Sequence, residues 1–162
     1  MQYDIKDIIT SVNVDNEITL VTDYNLPNNS ESVAKIFECL ADNGVNVDMI
    51  SLNPSSGVYQ TVSFSANDED LSSVLSTIGF FKNSYPELRT DINTKNCKIT
   101  FAGEAMRERC GVASFVFRAF GSKNIMIKLI TTSETKISCL IDEAQYSVAC
   151  DMLEDCFGIK NI

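Results

Sequence analysis

The chain repeats itself, and that repeat limits its fold more than any other feature. Val33, Ile36, Phe37 and Leu40 recur 80 residues later as Ala113, Val116, Phe117 and Phe120. Each set has the i, i+3, i+4, i+7 spacing of a helix that buries one stripe. A second stripe, Leu71, Val74, Leu75 and Ile78, recurs 75 residues later as Tyr146, Ala149, Cys150 and Leu153. The offset drops because the loop from Asn53 to Tyr59 is longer than the tight Ser133-Glu134-Thr135 turn. A period shared by several elements marks a duplicated supersecondary unit. The expected fold is therefore two copies of one small sandwich rather than one large core.

The segments between the helical stripes alternate apolar and polar, as half-buried strands do. Thr10, Val12 and Val14 form one strand, and Ile18 and Leu20 mark the next. Val45, Val47 and Met49 form a third, and the Asn53–Gly57 turn leads to Val58, Gln60, Val62 and Phe64. Leu88, Thr90 and Ile92 close the first copy, giving β-α-β-β-α-β. The second copy runs through Ile99 and Phe101, then Ile125, Ile127 and Leu129, then Ile137, Cys139 and Ile141, and stops one strand short. Asn43-Gly44 and Gly158 end helices. An unpaired sheet edge is a liability, so the extra N-terminal strand is expected to complete the second copy. The prediction is an α+β protein with helices on one face of antiparallel sheets. Its domains are residues 16–92, inserted, and 1–15 with 93–162.

Composition removes several function classes. Thirteen Lys and Arg against 22 Asp and Glu leave a net charge of −9, which disfavours nucleic acid and anionic membranes as partners. No stretch nears the roughly 20 apolar residues of a membrane span, and Met-Gln-Tyr-Asp does not read as a signal peptide. There is no histidine, the commonest acid–base residue and metal ligand. The seven glycines are too widely spaced for a phosphate-cradling loop. Six cysteines lack any C-x-x-C pair and read as small reduced core residues; Cys110, before a helix start, is the one with some redox character. The acidic runs Asp68-Glu69-Asp70 and Asp142-Glu143 each open a helical segment, where carboxylates cap the helix and favour the positive end of the dipole, with Asn67 or Asp68 the expected cap of the second helix.

Against this background the residues resemble a known family. Val33-Ala-Lys-Ile-Phe37 and Leu40-Ala-Asp-Asn-Gly-Val-Asn-Val-Asp-Met-Ile50 are similar to the first ACT repeat of aspartokinase. Lys98-Ile-Thr-Phe-Ala-Gly-Glu-Ala-Met-Arg107, Gly111-Val-Ala113 and Ile130-Thr-Thr-Ser-Glu-Thr-Lys-Ile-Ser138 resemble the second. Ile9-Thr-Ser-Val-Asn-Val-Asp15 resembles the strand that enters the ACT pair. The resemblance implies two ferredoxin-like βαββαβ ACT domains, the regulatory region of a cytoplasmic enzyme that transfers a phosphoryl group from ATP to aspartate. It implies binding of lysine and/or threonine for feedback inhibition, a homodimer through ACT domains, and a kinase catalytic domain or subunit as partner. The kinase motif Lys-Phe-Gly-Gly is absent from this sequence, so no catalytic residue, metal or cofactor is expected here. ATP and Mg belong to the kinase domain. The alternatives are an ACT scaffold that has lost effector binding, and an enzyme acting through Cys110 or carboxylates.

The helix start near residue 31 offers backbone N–H groups to an α-carboxylate, and Asp48 suits an ammonium group. By position, the resemblance places loop contacts at Leu26, Asn29, Glu31 and Ser32, and strand contacts at Asn46, Val47 and Asp48. Second-repeat counterparts are Met126, Ile127 and Lys128. Two departures stand out. Glu31 replaces the usual glycine, and Leu52 replaces a glutamine typical of threonine-binding relatives, so lysine beside Asp48 is the favoured effector.

Overall fold

The computed structural model describes residues 4–53 and 57–159; the centre of the expected Asn53–Gly57 turn lies outside them. Six strands and four helices follow in the order β1 (Ser11–Pro27), α1 (Ser30–Asp42), β2 (Ile50–Asn53), β3 (Tyr59–Asn67), α2 (Leu71–Ser84), β4 (Arg89–Ala102), α3 (Val112–Ser122), β5 (Ile127–Thr132), β6 (Lys136–Asp142) and α4 (Tyr146–Phe157). They form two compact units. One is Glu17–Lys95; the other takes the chain up to Asn16 and the chain from Asn96 onward. Both are antiparallel sheets covered by two helices.

In the Glu17–Lys95 unit the strand order is β2-β3-β1-β4. Val21 pairs with Phe64 and Ile50 pairs with Phe64 on its other side, fixing the register across three strands. One sheet face turns Val21, Phe64 and Ala66 against Leu40 of α1 and Val74 and Ile78 of α2. A second cluster joins Leu26, Val62, Ile36, Phe81 and Leu88. Each fully buried side chain of this size contributes about 1.5–3 kcal/mol, which holds α1 and α2 to the sheet. The stripe reading was accurate for Val74 and Ile78, whereas Leu75 is exposed.

The other unit has the order β5-β6-β4-β1. Ile99, Phe101, Cys139 and Ile141 face Val116 and Phe120 of α3 and Leu153 of α4. Ile5, Ile8 and Ile9 are buried in the same cluster, and the Thr10 N–H donates to Ala102 O. Gly103 is required there: a Cβ would lie 1.8 Å from Ile8 O. The β5–β6 turn closes with Ser133 N–H donating to Lys136 O at 2.8 Å.

Three expectations are revised. The strands read separately on either side of residues 16 and 95 are continuous, as β1 and β4. Glu17 and Lys95, both in the left-handed region at φ 57°, break the side-chain alternation there, so the sequence reads as a boundary. Residues 45–49 are not a regular strand; Asp48 N–H donates to Ser65 O, and Ser65 N–H donates to Met49 O, before β2 begins. Asp68 does not cap α2 either. It opens a 3-10 turn and accepts from the Thr19 hydroxyl and the Lys95 N–H, while Asp142 caps the 3-10 turn of residues 143–145, accepting from Ala144 N–H, and not α4 itself.

Candidate functional site

The start of α1 is built by its own loop. Asn29 is in an extended conformation, and its side chain accepts from the Ser32 N–H at 2.8 Å, the bond that makes Asn a favoured N-cap. Ser32 is fully buried, and its Oγ lies 2.7 Å from Pro27 O and 3.0 Å from Asn29 O. Gln60, from β3, is 5% exposed and donates Nε2 to the same two carbonyls, at 2.8 and 3.1 Å. Asn28 joins the loop to the start of β3 through Val58 O and Gly57 O. Two strands and a helix thus hold residues 27–29 in one shape.

That loop borders an open cavity of about 490 Å³, within the range of small-molecule clefts. Asn28, Asn29 and Ser30 form its polar rim, Val33, Ala34 and Leu52 its apolar wall, and Gln60 closes one side. The first turn of a helix leaves its N–H groups without intrahelical acceptors, and those of Ser30 and Glu31 are placed in that turn. An anion docked here meets N–H donors and the positive end of the dipole. The Glu31 side chain is turned to Lys35 and is not among the residues that line the cavity. Its carboxylate is 2.6 Å from the Lys35 ammonium one turn along the helix, and that hydrogen bond holds it below the usual carboxylate range.

The expected contact residues divide into groups. Asn29 lines the cavity. Leu26 is a core residue packed with Ile36 and Val62, and Ser32 is a buried loop brace, so neither side chain meets a ligand. Asn46 and Asp48 are exposed and Val47 is half-buried at the far end of the unit. Asp48 is level with Ser65 on β3, whereas the cavity is level with Gln60. Five residues of strand separate them, roughly 17 Å. One unit alone does not bring the loop and strand residues together.

In the second repeat, Met126 is 71% exposed and its N–H donates to Gln145 Oε1. Ile127 packs against the core. Lys128 is engaged within its own unit, donating to Asn96 Oδ1 at 2.7 Å and Asp142 Oδ2 at 2.9 Å. The Lys128 bond and the Ala144 N–H together lower the Asp142 pKa. The core thiols are inert: burial pushes Cys97 up to about 11 and Cys139 up to about 12. No group of metal-ligating side chains occurs among the described residues, and no helix among them is long and apolar enough to cross a membrane.

Gln60 is the site residue that the loop-centred reading missed. Its signal was present in the sequence: in the alternation Val58, Gln60, Val62, Phe64 it is the one polar residue on the apolar side of a strand.

Comparison with known proteins fits this architecture. The ACT domain family matches residues 99–157. An aspartokinase of Bacillus sp. (strain MGA3) is 31% identical over 153 residues, 94% of this chain and 37% of the relative. An aspartokinase of Mycolicibacterium smegmatis is 32% identical over 161 residues, with the same coverage. The chain thus spans little more than a third of these relatives' length. Among solved structures, aspartokinase alpha and beta subunits superpose with a TM-score of 0.84 at 28% identity, over 93% of this chain and 99% of that one. The ligand-free regulatory subunit of aspartate kinase from Thermus thermophilus, at 22% identity, shares the fold with a TM-score of 0.82 and the same coverage. Residues 99–157 thus match the ACT domain family, and the chain is similar, across both of its units, to aspartokinases.

Proposed function

We propose that this chain is a regulatory, non-catalytic part of a cytoplasmic aspartate kinase. It binds lysine or threonine and lowers the rate at which a partner kinase domain or subunit phosphorylates the aspartate side chain. It needs no cofactor of its own; ATP and Mg serve the kinase. The observation that carries this reading is the cavity at the first turn of α1, where backbone donors suit an α-carboxylate and Val33, Ala34 and Leu52 suit an aliphatic stem.

No carboxylate among the described residues lines that cavity, so a lysine ε-ammonium needs a counter-charge from elsewhere. β2 is an edge strand, and its Ile50 and Leu52 are 47% and 44% exposed, a surface suited to strand pairing. A second copy laid antiparallel on that edge, with its twofold axis between Ile50 and Ser51, sets its own Asp48 beside Leu52 and Asn53. The site is then completed by dimerisation, with lysine favoured over threonine. Binding becomes control because the effector prefers one subunit arrangement over another.

Calorimetric titration with lysine and threonine tests the reading. Saturable binding is expected, with a stability gain of about 2.7 kcal/mol at a hundredfold excess over Kd. Asp48→Ala should weaken lysine at least tenfold and threonine much less. If neither amino acid gives heat or thermal stabilisation, alone or with a kinase domain present, the chain is an ACT scaffold instead.

A further inference from the structure

The geometry points to Gln60 as the residue that reads the α-ammonium of the bound amino acid. This rests on the reading that the cavity holds an amino acid, and adds the group that orients it. Gln60 is more than nine-tenths buried, yet it lines the cavity. Its two amide ends have different tasks. Nε2 lies between Pro27 O and Asn29 O, at 2.8 and 3.1 Å. Two carbonyl oxygens at that range fix which end is nitrogen, since the flipped amide would set oxygen against oxygen.

The donor end is therefore spent on the loop, and Oε1 is the polar end that remains. Oε1 accepts no hydrogen bond among the described residues. Nor is it sealed off, because the one unpartnered side-chain oxygen without solvent access among the described residues is Asp23 Oδ2. A buried acceptor opening on a cavity next to the donors of a helix first turn forms a matched pair for a zwitterion. The carboxylate takes the N–H groups at Ser30 and Glu31, and the ammonium donates to Gln60 Oε1. An acceptor held by two hydrogen bonds from its own amide nitrogen is pre-oriented, so little ordering entropy is lost when the ligand arrives.

The test compares each amino acid with the same molecule lacking its α-ammonium: lysine with 6-aminohexanoate, and threonine with 3-hydroxybutanoate. The full-length chain and its Gln60→Met variant are titrated with all four. The expected result is that the variant weakens lysine or threonine at least tenfold more than it weakens the matching desamino acid, the loss common to both reporting the brace on residues 27–29. Equal weakening of both members of a pair would mean that Gln60 only braces residues 27–29, and would overturn the assignment; so would no weakening at all. If Gln60→Met fails to fold, the unmodified chain decides. The Gln60 side-chain carbonyl carbon resonance should move when the amino acid is added and stay in place with its desamino partner, and an unmoved resonance refutes the assignment. Failure of the unmodified chain to bind either amino acid is a separate result, which removes the cavity reading and this inference with it.

Discussion

Asp23 offers a quantitative test of the Glu17–Lys95 unit. It sits in β1, facing the helices, with no exposed surface. Its Oδ1 accepts from the Thr90 hydroxyl, and its Oδ2 has no hydrogen-bond partner among the described residues. Burial raises its pKa from 3.8 to about 6, against smaller opposing effects of the Thr90 hydrogen bond and the Lys82 charge. The folded state therefore holds this proton more tightly than the unfolded chain does. Stability contributed by the neutral acid is present at low pH and is lost as pH rises through the window from about 4 to about 6. The shift of roughly two units corresponds to about 3 kcal/mol of destabilisation at neutral pH.

Asp23→Asn keeps the acceptor for Thr90 and removes the charge. Urea unfolding followed by circular dichroism should show the variant more stable than the parent at pH 7.5 by about 1–3 kcal/mol, after allowing for an unpartnered amide. The advantage should shrink by about 1.5 kcal/mol at pH 5, where the parent carboxyl is largely protonated. Other carboxylates titrate alike in both proteins and cancel in the difference. A gap between variant and parent that is the same at both pH values, or a variant less stable at pH 7.5, refutes the argument.

Other predictions concern the second unit. Gly103→Ala forces a Cβ to 1.8 Å from Ile8 O and should cost about 2–4 kcal/mol in thermal unfolding, through overpacking and backbone shift. Gly121→Ala, in α3 where the added Cβ meets nothing within 4 Å among the described residues beyond its chain neighbours and its own helix backbone, should gain up to about 1 kcal/mol. Lys128→Met leaves the buried Asn96 acceptor without its 2.7 Å donor and should destabilise by about 1–3 kcal/mol in the same assay. Deleting residues 1–10 removes Ile5, Ile8 and Ile9 from their core. Hydrogen exchange should then show lost protection from Asn96 onward, with residues 17–95 still protected.

Much of the fold was legible because the two helix stripes and the two hairpins carry the same apolar spacing twice. The continuous strands were not, since Asn16-Glu17 and Lys95-Asn96 are polar pairs that a reader of alternation takes for a loop. Their pairing in long strands is decided by neighbours distant in sequence. Asp68 misled for a similar reason: acidity next to a helix suggests a cap, but its partners Thr19 and Lys95 come from other strands. At the site, Asn29 is a favoured cap residue type placed just ahead of the Val33–Leu40 stripe. Position in the chain could not distinguish Leu26 and Ser32, which face inward, from their outward neighbours. Gln60 was hidden because a polar residue on an apolar strand face gains meaning only once the loop it braces is known.

The insertion of one unit within the other bears on how the chain acquires its shape. The outer unit needs β1 and β4 side by side, yet about 80 residues lie between their crossing points. Closing a flexible segment of that length costs about 4 kcal/mol of chain entropy. Once the inserted portion has folded, its two ends already emerge as neighbouring strands and that cost is gone. Maturation should therefore proceed from the middle of the polypeptide outward, and a lesion in the inserted portion should delay assembly of a core to which it contributes no side chain.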